Sequence, residues 1–444
     1  MKKAVILFNL GGPDKLENVK PFLFNLFNDP AILNLPTLFR YPLAKLISNR
    51  RAPTAKKIYQ ELGGSSPILK LTKEQSKALE LKLNNDDQNS EYKCFIVMRC
   101  WHPRAEEIVN YVRDFNPDEI ILMPLYPQYS AATSGSSIKE WKDICKKNNI
   151  KIKTSTICCY PADENFVLAH KEEIIKKINN LKNFKLIFSA HGLPEKNIKK
   201  GDPYQWQVEQ SVDKIIKSIN IENLDWILSY QSRVGPLKWI GPSTEDIIVE
   251  NSKLGKHIVL VPIAFVSEHS ETLVELDIEY KELADKNGCK NYIRVPALGT
   301  NENYIKAMSD LIIRRKMKDK LSKSSKIITR SSLNKCELAE EYALTLEKIY
   351  EDVESIPHFN DEDIFLEEWG ISFFHEETKK EIEWILLIAL RNFINQTGYA
   401  VSHVLTNERF KQCATIQESS SLGKNCMIVS NGYEITVIED SDEL

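Results

Sequence analysis

The sequence has no apolar run long enough to cross a membrane. The longest late run, Trp384 to Leu390, is far shorter than the roughly 20 residues a spanning helix needs. No charged-then-apolar leader is expected either. Met1-Lys2-Lys3 passes into the short run Ala4 to Phe8 and then Gly11-Gly12-Pro13, which has the length of a first strand. Metal-type cysteine spacing is also missing. The nine cysteines are odd in number and scattered, which predicts a reducing, cytoplasmic compartment rather than a disulfide framework. Net charge is only −3 over 444 residues, so nothing in the bulk charge points to a nucleic-acid partner.

That small net charge conceals an asymmetry. Residues 337–444 carry 23 acidic and 7 basic side chains, net −16, whereas residues 1–336 carry 39 and 52, net +13. A step of this size marks a boundary between units of different character. The length alone predicts two or three domains. The basic body suits an anionic partner, such as a membrane surface or a carboxylate-bearing ligand, or simply a solvated lysine surface.

Short Ile/Val-rich runs recur at 4–9, 94–100, 119–125, 153–159, 184–190, 225–231, 257–266 and 291–297. Near-continuous hydrophobicity over such lengths predicts parallel strands buried on both faces. Amphipathic helical stretches lie between them, at 68–84, 103–115, 163–181, 205–219 and 271–286. Alternating strands and helices predict an α/β fold of two Rossmann-like lobes, each a parallel four-stranded sheet flanked by helices. Lobe one is expected over about 1–160 with a returning helix at 302–321, and lobe two over about 161–300, within a domain spanning 1–325. A linker at 326–336 then leads to an acidic C-terminal α+β extension at 337–444. There, helices are expected at 337–355 and 376–396. A hairpin is expected from Cys426 to Ile438, turning at Asn431-Gly432 as a type I′ turn.

In open α/β sheets, ligands bind beyond the carboxyl ends of the strands. His191 stands there, directly after Lys185 to Ala190 and before Gly192-Leu193-Pro194. Position alone leaves it either a ligand-facing or a structural histidine. A helix starting after the run 258–266 would place Glu268, Glu271 and Glu275 on one face, with Glu279 extending the stripe. Such a row suits metal or proton transfer if covered, and an ordinary solvated face if not.

Several segments together carry a family resemblance. Phe188-Ser189-Ala190-His191-Gly192-Leu193-Pro194, then Gly201-Asp202-Pro203-Tyr204, resembles the ferrochelatase signature, and Pro262 to Leu273 resembles its second motif. Asn9 to Pro13, Tyr59 with Gly63 to Ile68, Leu125 to Ser137, and Tyr230 to Pro236 with Trp239 follow in the family's order over residues 1–315. The resemblance implies a chelatase fold and insertion of Fe2+ into protoporphyrin IX, with two protons released. A cobalt-inserting chelatase of the same fold is the alternative, and a non-catalytic porphyrin carrier is another. It implies His191 and Glu271 as catalytic and metal-contacting residues, set across the porphyrin from one another. Glu268, His269 and Glu275 would form a proton relay or metal path. Leu10, Arg51, Tyr59, Ser66, Tyr126, Ser130, Gln231 and Trp239 are the implied porphyrin contacts, with Arg50 beside Arg51 facing propionates. The Phe/Leu-rich segment 21–46 would form an apolar lip, with peripheral membrane contact. No cofactor is implied, because iron is the substrate. No [2Fe–2S] cluster is expected: Cys336, Cys413 and Cys426 stand far apart, and the position matching the family's internal cluster cysteine falls near Ala169. For the acidic extension, a protein partner is the remaining expectation.

Overall fold

The computed structural model describes residues 1–179, 181–233 and 237–321 and the backbone of five later strands. Residues 1–194 with 208–314 form one compact unit, and 195–207 belong with 315–444 in a second.

The first unit begins with β1 (Lys2–Asn9), α1 (Val19–Phe27), α2 (Thr37–Glu61), α3 (Ile68–Asp86), β2 (Glu91–Met98) and α4 (Ala105–Phe115). β3 (Glu119–Pro124), a π-helical segment (Ala131–Gly135), α5 (Ser136–Lys147) and β4 (Lys153–Thr156) complete the first sheet. After α6 (Glu164–Ile178) come β5 (Phe184–His191), α7 (Glu195–Lys199), α8 (Tyr204–Ile219), β6 (Trp226–Gln231), α9 (Thr244–Lys253) and β7 (His257–Pro262). A second π-helical segment (Glu271–Glu279) runs into α10 (Tyr280–Lys286), then β8 (Tyr292–Arg294) and α11 (Glu302–Leu321).

Both sheets are parallel and four-stranded. Their orders are β2-β1-β3-β4 and β6-β5-β7-β8, the same topology twice. β1 is buried from Lys3 to Asn9, as a central strand covered on both faces must be. On one face of sheet one, Val5, Leu7, Ile121 and Met123 pack with Leu79 and Leu83 of α3, Phe166 of α6, and Tyr304, Met308 and Ile312 of α11. Burying each such side chain contributes about 1.5–3 kcal/mol. α11 therefore returns to the first sheet. In sheet two, Ile187, Ile258 and Leu260 pack with Ile247 and Ile248 of α9 and with Leu276 and Tyr280.

Three expected strands end three or more residues early: 153–159 stops at Thr156, 257–266 at Pro262 and 291–297 at Arg294. The apolar residues beyond those ends are buried in turns at the carboxyl edge, as Ile157 to Tyr160, Ile263 and Val266 show. Burial there, rather than strand pairing, explains the longer hydrophobic runs.

In the second unit, β9 (Ile364–Leu366) pairs antiparallel with β10 (Ile371–Phe373), and β11 (Ala400–His403), β12 (Cys426–Ser430) and β13 (Ile435–Glu439) form a second small sheet. The expected hairpin pairs Ser430 with Ile435. Asn431, Gly432, the linker and the two expected C-terminal helices lie outside the described residues.

Candidate active site

β5 sits between β6 and β7 although β6 lies between β5 and β7 in the chain. This order brings the end of β5 beside the turn that follows β7. His191, the last residue of β5, pairs in register with Gln231, the last of β6. Gly192 then donates its N–H to the Gln231 carbonyl at 2.9 Å. A Cβ at Gly192 would stand 3.0 Å from that carbonyl and 3.3 Å from the Trp239 ring, a tight fit that a side chain would meet only by displacing a neighbour slightly.

The His191 ring nitrogen Nδ1 lies 2.9 Å from Glu271 Oε2, 80 residues away in sequence. The pair is partly buried, with side chains 39% and 28% exposed. Burial alone would pull the His191 pKa down. The Glu271 carboxylate, by charge and hydrogen bond, and Glu275 by charge, reverse this, and the net shift is upward. Burial would push Glu271 up, but His191 and then His269 hold its carboxyl well below the ordinary range. The two residues, expected to face each other across a porphyrin, are in direct hydrogen-bond contact in this structure.

The helix expected from Glu268 begins only at Glu271, and its first nine residues are π-helical. π segments concentrate at functional sites because the wider turn re-aims side chains. Glu275 is held on every side. It accepts hydrogen bonds from Ser232 N (3.0 Å), Ser232 Oγ (2.7 Å), Gln231 Nε2 (3.3 Å) and Tyr280 OH (3.1 Å). Ser232 donates from φ +59°, a left-handed conformation that costs a non-glycine residue. Burial, and then the neighbouring Glu271 charge, push the Glu275 pKa up.

Glu268 stands apart from this row. Its Oε1 accepts from Arg294 Nη1 (2.8 Å) and from the Ala297 N–H (2.9 Å), while Arg294 forks onto Asp277. His269 Nδ1 meets the Ser267 carbonyl at 3.2 Å and its ring lies against Phe265. The donor at that nitrogen leaves Nε2 with the lone pair, and burial lowers the pKa.

The lobe-one residues reach this region unevenly. Tyr59, on α2, hydrogen-bonds Ser270 and feels the Glu271 charge; burial, more than that charge, pushes its phenol up to about 12. Leu10 packs in the same apolar cluster as Tyr59 and Trp101. Ser66 holds a turn, donating its N–H to Pro13, and would collide with any Cβ at Gly12. Tyr126 is deep beside Cys100, and Ser130 caps the first π segment through Ala132 N. Arg51 lies over the Phe27 ring at 5.7 Å. Thus His191, Glu271, Glu275 and Gln231 form one contiguous set, with Tyr59, His269 and Trp239 adjoining. Glu268, Arg51, Ser66 and Ser130 have other partners, and the Tyr126 hydroxyl is buried without a hydrogen-bond partner among the described residues. Among the described residues, no group of three or more His, Cys, Asp or Glu side chains is arranged to hold a metal ion.

Sequence reasoning missed several residues. Buried Gln75 of α3 donates to the Val266 and Gly299 carbonyls and accepts from Ser267 Oγ, pinning the turn before the carboxylates. Tyr280, which holds Glu275, was also unmarked, and Ser232 was marked only as part of the Tyr230 to Pro236 stretch and not as a holder of Glu275. For Tyr280 only its position, five residues beyond Glu275, offered a signal.

Twin parallel sheets with an imidazole–carboxylate pair at the carboxyl edge of one are the layout of an α/β enzyme. A ferrochelatase family model matches residues 2–316. The ferrochelatase of Pelagibacter ubique is 84% identical over 315 residues, covering 71% of this chain and 92% of the relative. Those of a Drosophila simulans Wolbachia and of Rickettsia felis are 53% and 51% identical over 316 residues, covering 99% and 90% of their own lengths and 70% of this chain. The chain belongs to the ferrochelatase family, lyases of haem biosynthesis that insert iron into a porphyrin.

Proposed function

We propose that this enzyme inserts Fe2+ into protoporphyrin IX with His191 as the base that accepts pyrrole protons. The carrying observation is the 2.9 Å contact between His191 Nδ1 and Glu271. A ring that donates Nδ1–H to a carboxylate leaves Nε2 as the acceptor, and the carboxylate stabilises the imidazolium formed when the proton arrives. Two N–H protons leave the macrocycle as the metal enters. Glu275 lies next in line beyond Glu271, and its raised pKa suits it to take up a proton and pass it toward Ser232 and Tyr280. Glu268 acts in this reading as an anchor of the Arg294 cluster, and His269 as a neutral imidazole beside the path.

Leu10, Tyr59, Gln231 and Trp239 are the nearest porphyrin contacts. The exposed apolar side chains Leu38, Phe39 and Leu46 support a lip that covers the ring and touches a lipid surface. Among the described residues, no helix is long and apolar enough to cross a membrane. Cys94, Cys100, Cys145 and Cys289 stand as thiols, which supports a cytoplasmic setting.

The test is a steady-state, oxygen-free assay with Fe2+ and protoporphyrin IX. His191→Ala is expected to lower kcat by about 10²–10⁴-fold, the usual contribution of a positioned base. Near-normal turnover of that variant would remove His191 from the chemistry. Failure of the wild-type enzyme to metallate the porphyrin would overturn the substrate assignment.

A further inference from the structure

The lobe-one counterpart of the catalytic sheet end is a buried ion network to which nothing above assigns a role. In sheet one, Phe8 pairs with Val97 and Pro124; in sheet two, Ser189 pairs with Ser229 and Pro262. Aligning these registers puts Leu10 at the place of His191 and Arg99 at the place of Gln231. Gln231 reaches across to the Glu275 carboxylate. Arg99 likewise reaches Glu140 of α5 at 2.9 Å and Ser136 Oγ at 2.8 Å, and its Nη2 meets Asp29 at 2.9 Å. Arg104 adds a second cation to Glu140 at 2.5 Å. Two guanidinium groups thus face two carboxylates, and the cluster is neutral.

Asp29 is 3% exposed and joins three pieces of lobe one. Its Oδ2 takes Arg99 and the Ser136 hydroxyl, and its Oδ1 accepts the Ala31 N–H at 2.9 Å. Its own carbonyl accepts the N–H groups of Ile32 (3.0 Å) and Leu33 (2.9 Å). Arg40 closes the far side, donating to the carbonyls of Asn28 (2.9 Å) and Leu35 (2.6 Å). The segment held between these two clamps carries two exposed large apolar side chains, Leu38 (78%) and Phe39 (63%). It is a built ridge seated on a charge network.

We infer that Asp29 and Arg99 are positioning residues for the porphyrin. They hold the ridge at a set height on sheet one, so they govern macrocycle binding and leave the proton chemistry of lobe two alone. The inference rests on the proposal that this ridge covers the porphyrin. The physical reason is that a buried carboxylate with one guanidinium, one hydroxyl and one amide partner has a single low-energy geometry.

Asp29→Asn keeps the shape and removes the charge. It is expected to raise the porphyrin KM about tenfold, the effect of losing one charge-assisted hydrogen bond. Its kcat, its pH profile and its KM for Fe2+ should stay within twofold of wild type, and chymotrypsin should cut faster at Phe39. Asp29→Glu should recover part of the porphyrin KM. Should Asp29→Asn fail to fold, Arg99→Lys, which keeps the charge and loses the fork, carries the same expectation. An unchanged porphyrin KM, or a matched fall in kcat, overturns the inference. The double variant Leu38→Ser/Phe39→Ser tests the underlying proposal separately. If it leaves the porphyrin KM unchanged, the ridge does not cover the ring, whatever Asp29→Asn does.

Discussion

Replacing Glu271 by Gln keeps the shape of the His191 partner and removes its charge. At a charge separation of about 4 Å and an effective dielectric of about 20, the lost attraction is about 4 kcal/mol; solvent around two partly exposed side chains reduces it to about 1–2 kcal/mol. That corresponds to a fall in kcat of about 5–30-fold, through a less stabilised imidazolium. The pH profile gives a sharper readout. Glu271 is the main group opposing the effect of burial on His191, so its loss moves the acidic limb of kcat/KM to lower pH. Stability carries the same sign. The His191 pKa is raised on folding, so its contribution is complete below the unfolded value of 6.5 and is lost as pH rises through the folded value. The Glu271 pKa is depressed, so its contribution is present above the unfolded value of 4.5 and is lost as pH falls through the folded one. The Tm difference between wild type and Glu271→Gln should therefore be largest between pH 4.5 and 6.5 and shrink at alkaline pH. An acidic limb that does not move, together with a Tm difference independent of pH, would refute the ion pair.

Glu268→Ala should cost about 1–3 kcal/mol of stability, because the Ala297 N–H loses its acceptor and Arg294 loses one of two carboxylates. Its kcat should stay within about threefold; a hundredfold loss with an unchanged Tm would restore Glu268 to the proton path. Truncation near residue 330 should leave kcat and both KM values unchanged, since about 315 residues of this chain cover 92% and 99% of two curated relatives. Loss of chelation on truncation would make the acidic extension part of the catalytic unit.

The alternation of strands and helices was legible from hydrophobic runs alone, because central parallel strands such as β1 and β5 must be apolar on both faces. His191 was legible as a strand-end residue inside a recognised motif. Glu271 was legible as a member of the pair, but its placement was not. The motifs imply that two residues act together, yet whether they touch depends on which strand lies beside β5. Strand order is a long-range property, decided by how helices cover both faces of the sheet, and it sets β7 along the side of β5 opposite β6.

The same reason accounts for the residues that pattern reading mistook or passed over. Glu268 looked like the first of a carboxylate row because helical spacing was counted from it, whereas Arg294, from the end of β8, claims its oxygen. The π segment could not be read from a periodicity tuned to 3.6 residues per turn. Asp29 and Arg99 lie 70 residues apart and carry no motif in common. What the sequence by itself determined was the set of elements, the doubled α/β plan and the chemical types available at the strand ends, since these follow from local pattern. Only the tertiary structure decided which of those groups meet: His191 with Glu271, Glu275 with Ser232, Asp29 with Arg99. Burial makes each of those choices costly to leave unpaired, and a one-dimensional pattern contains no distances.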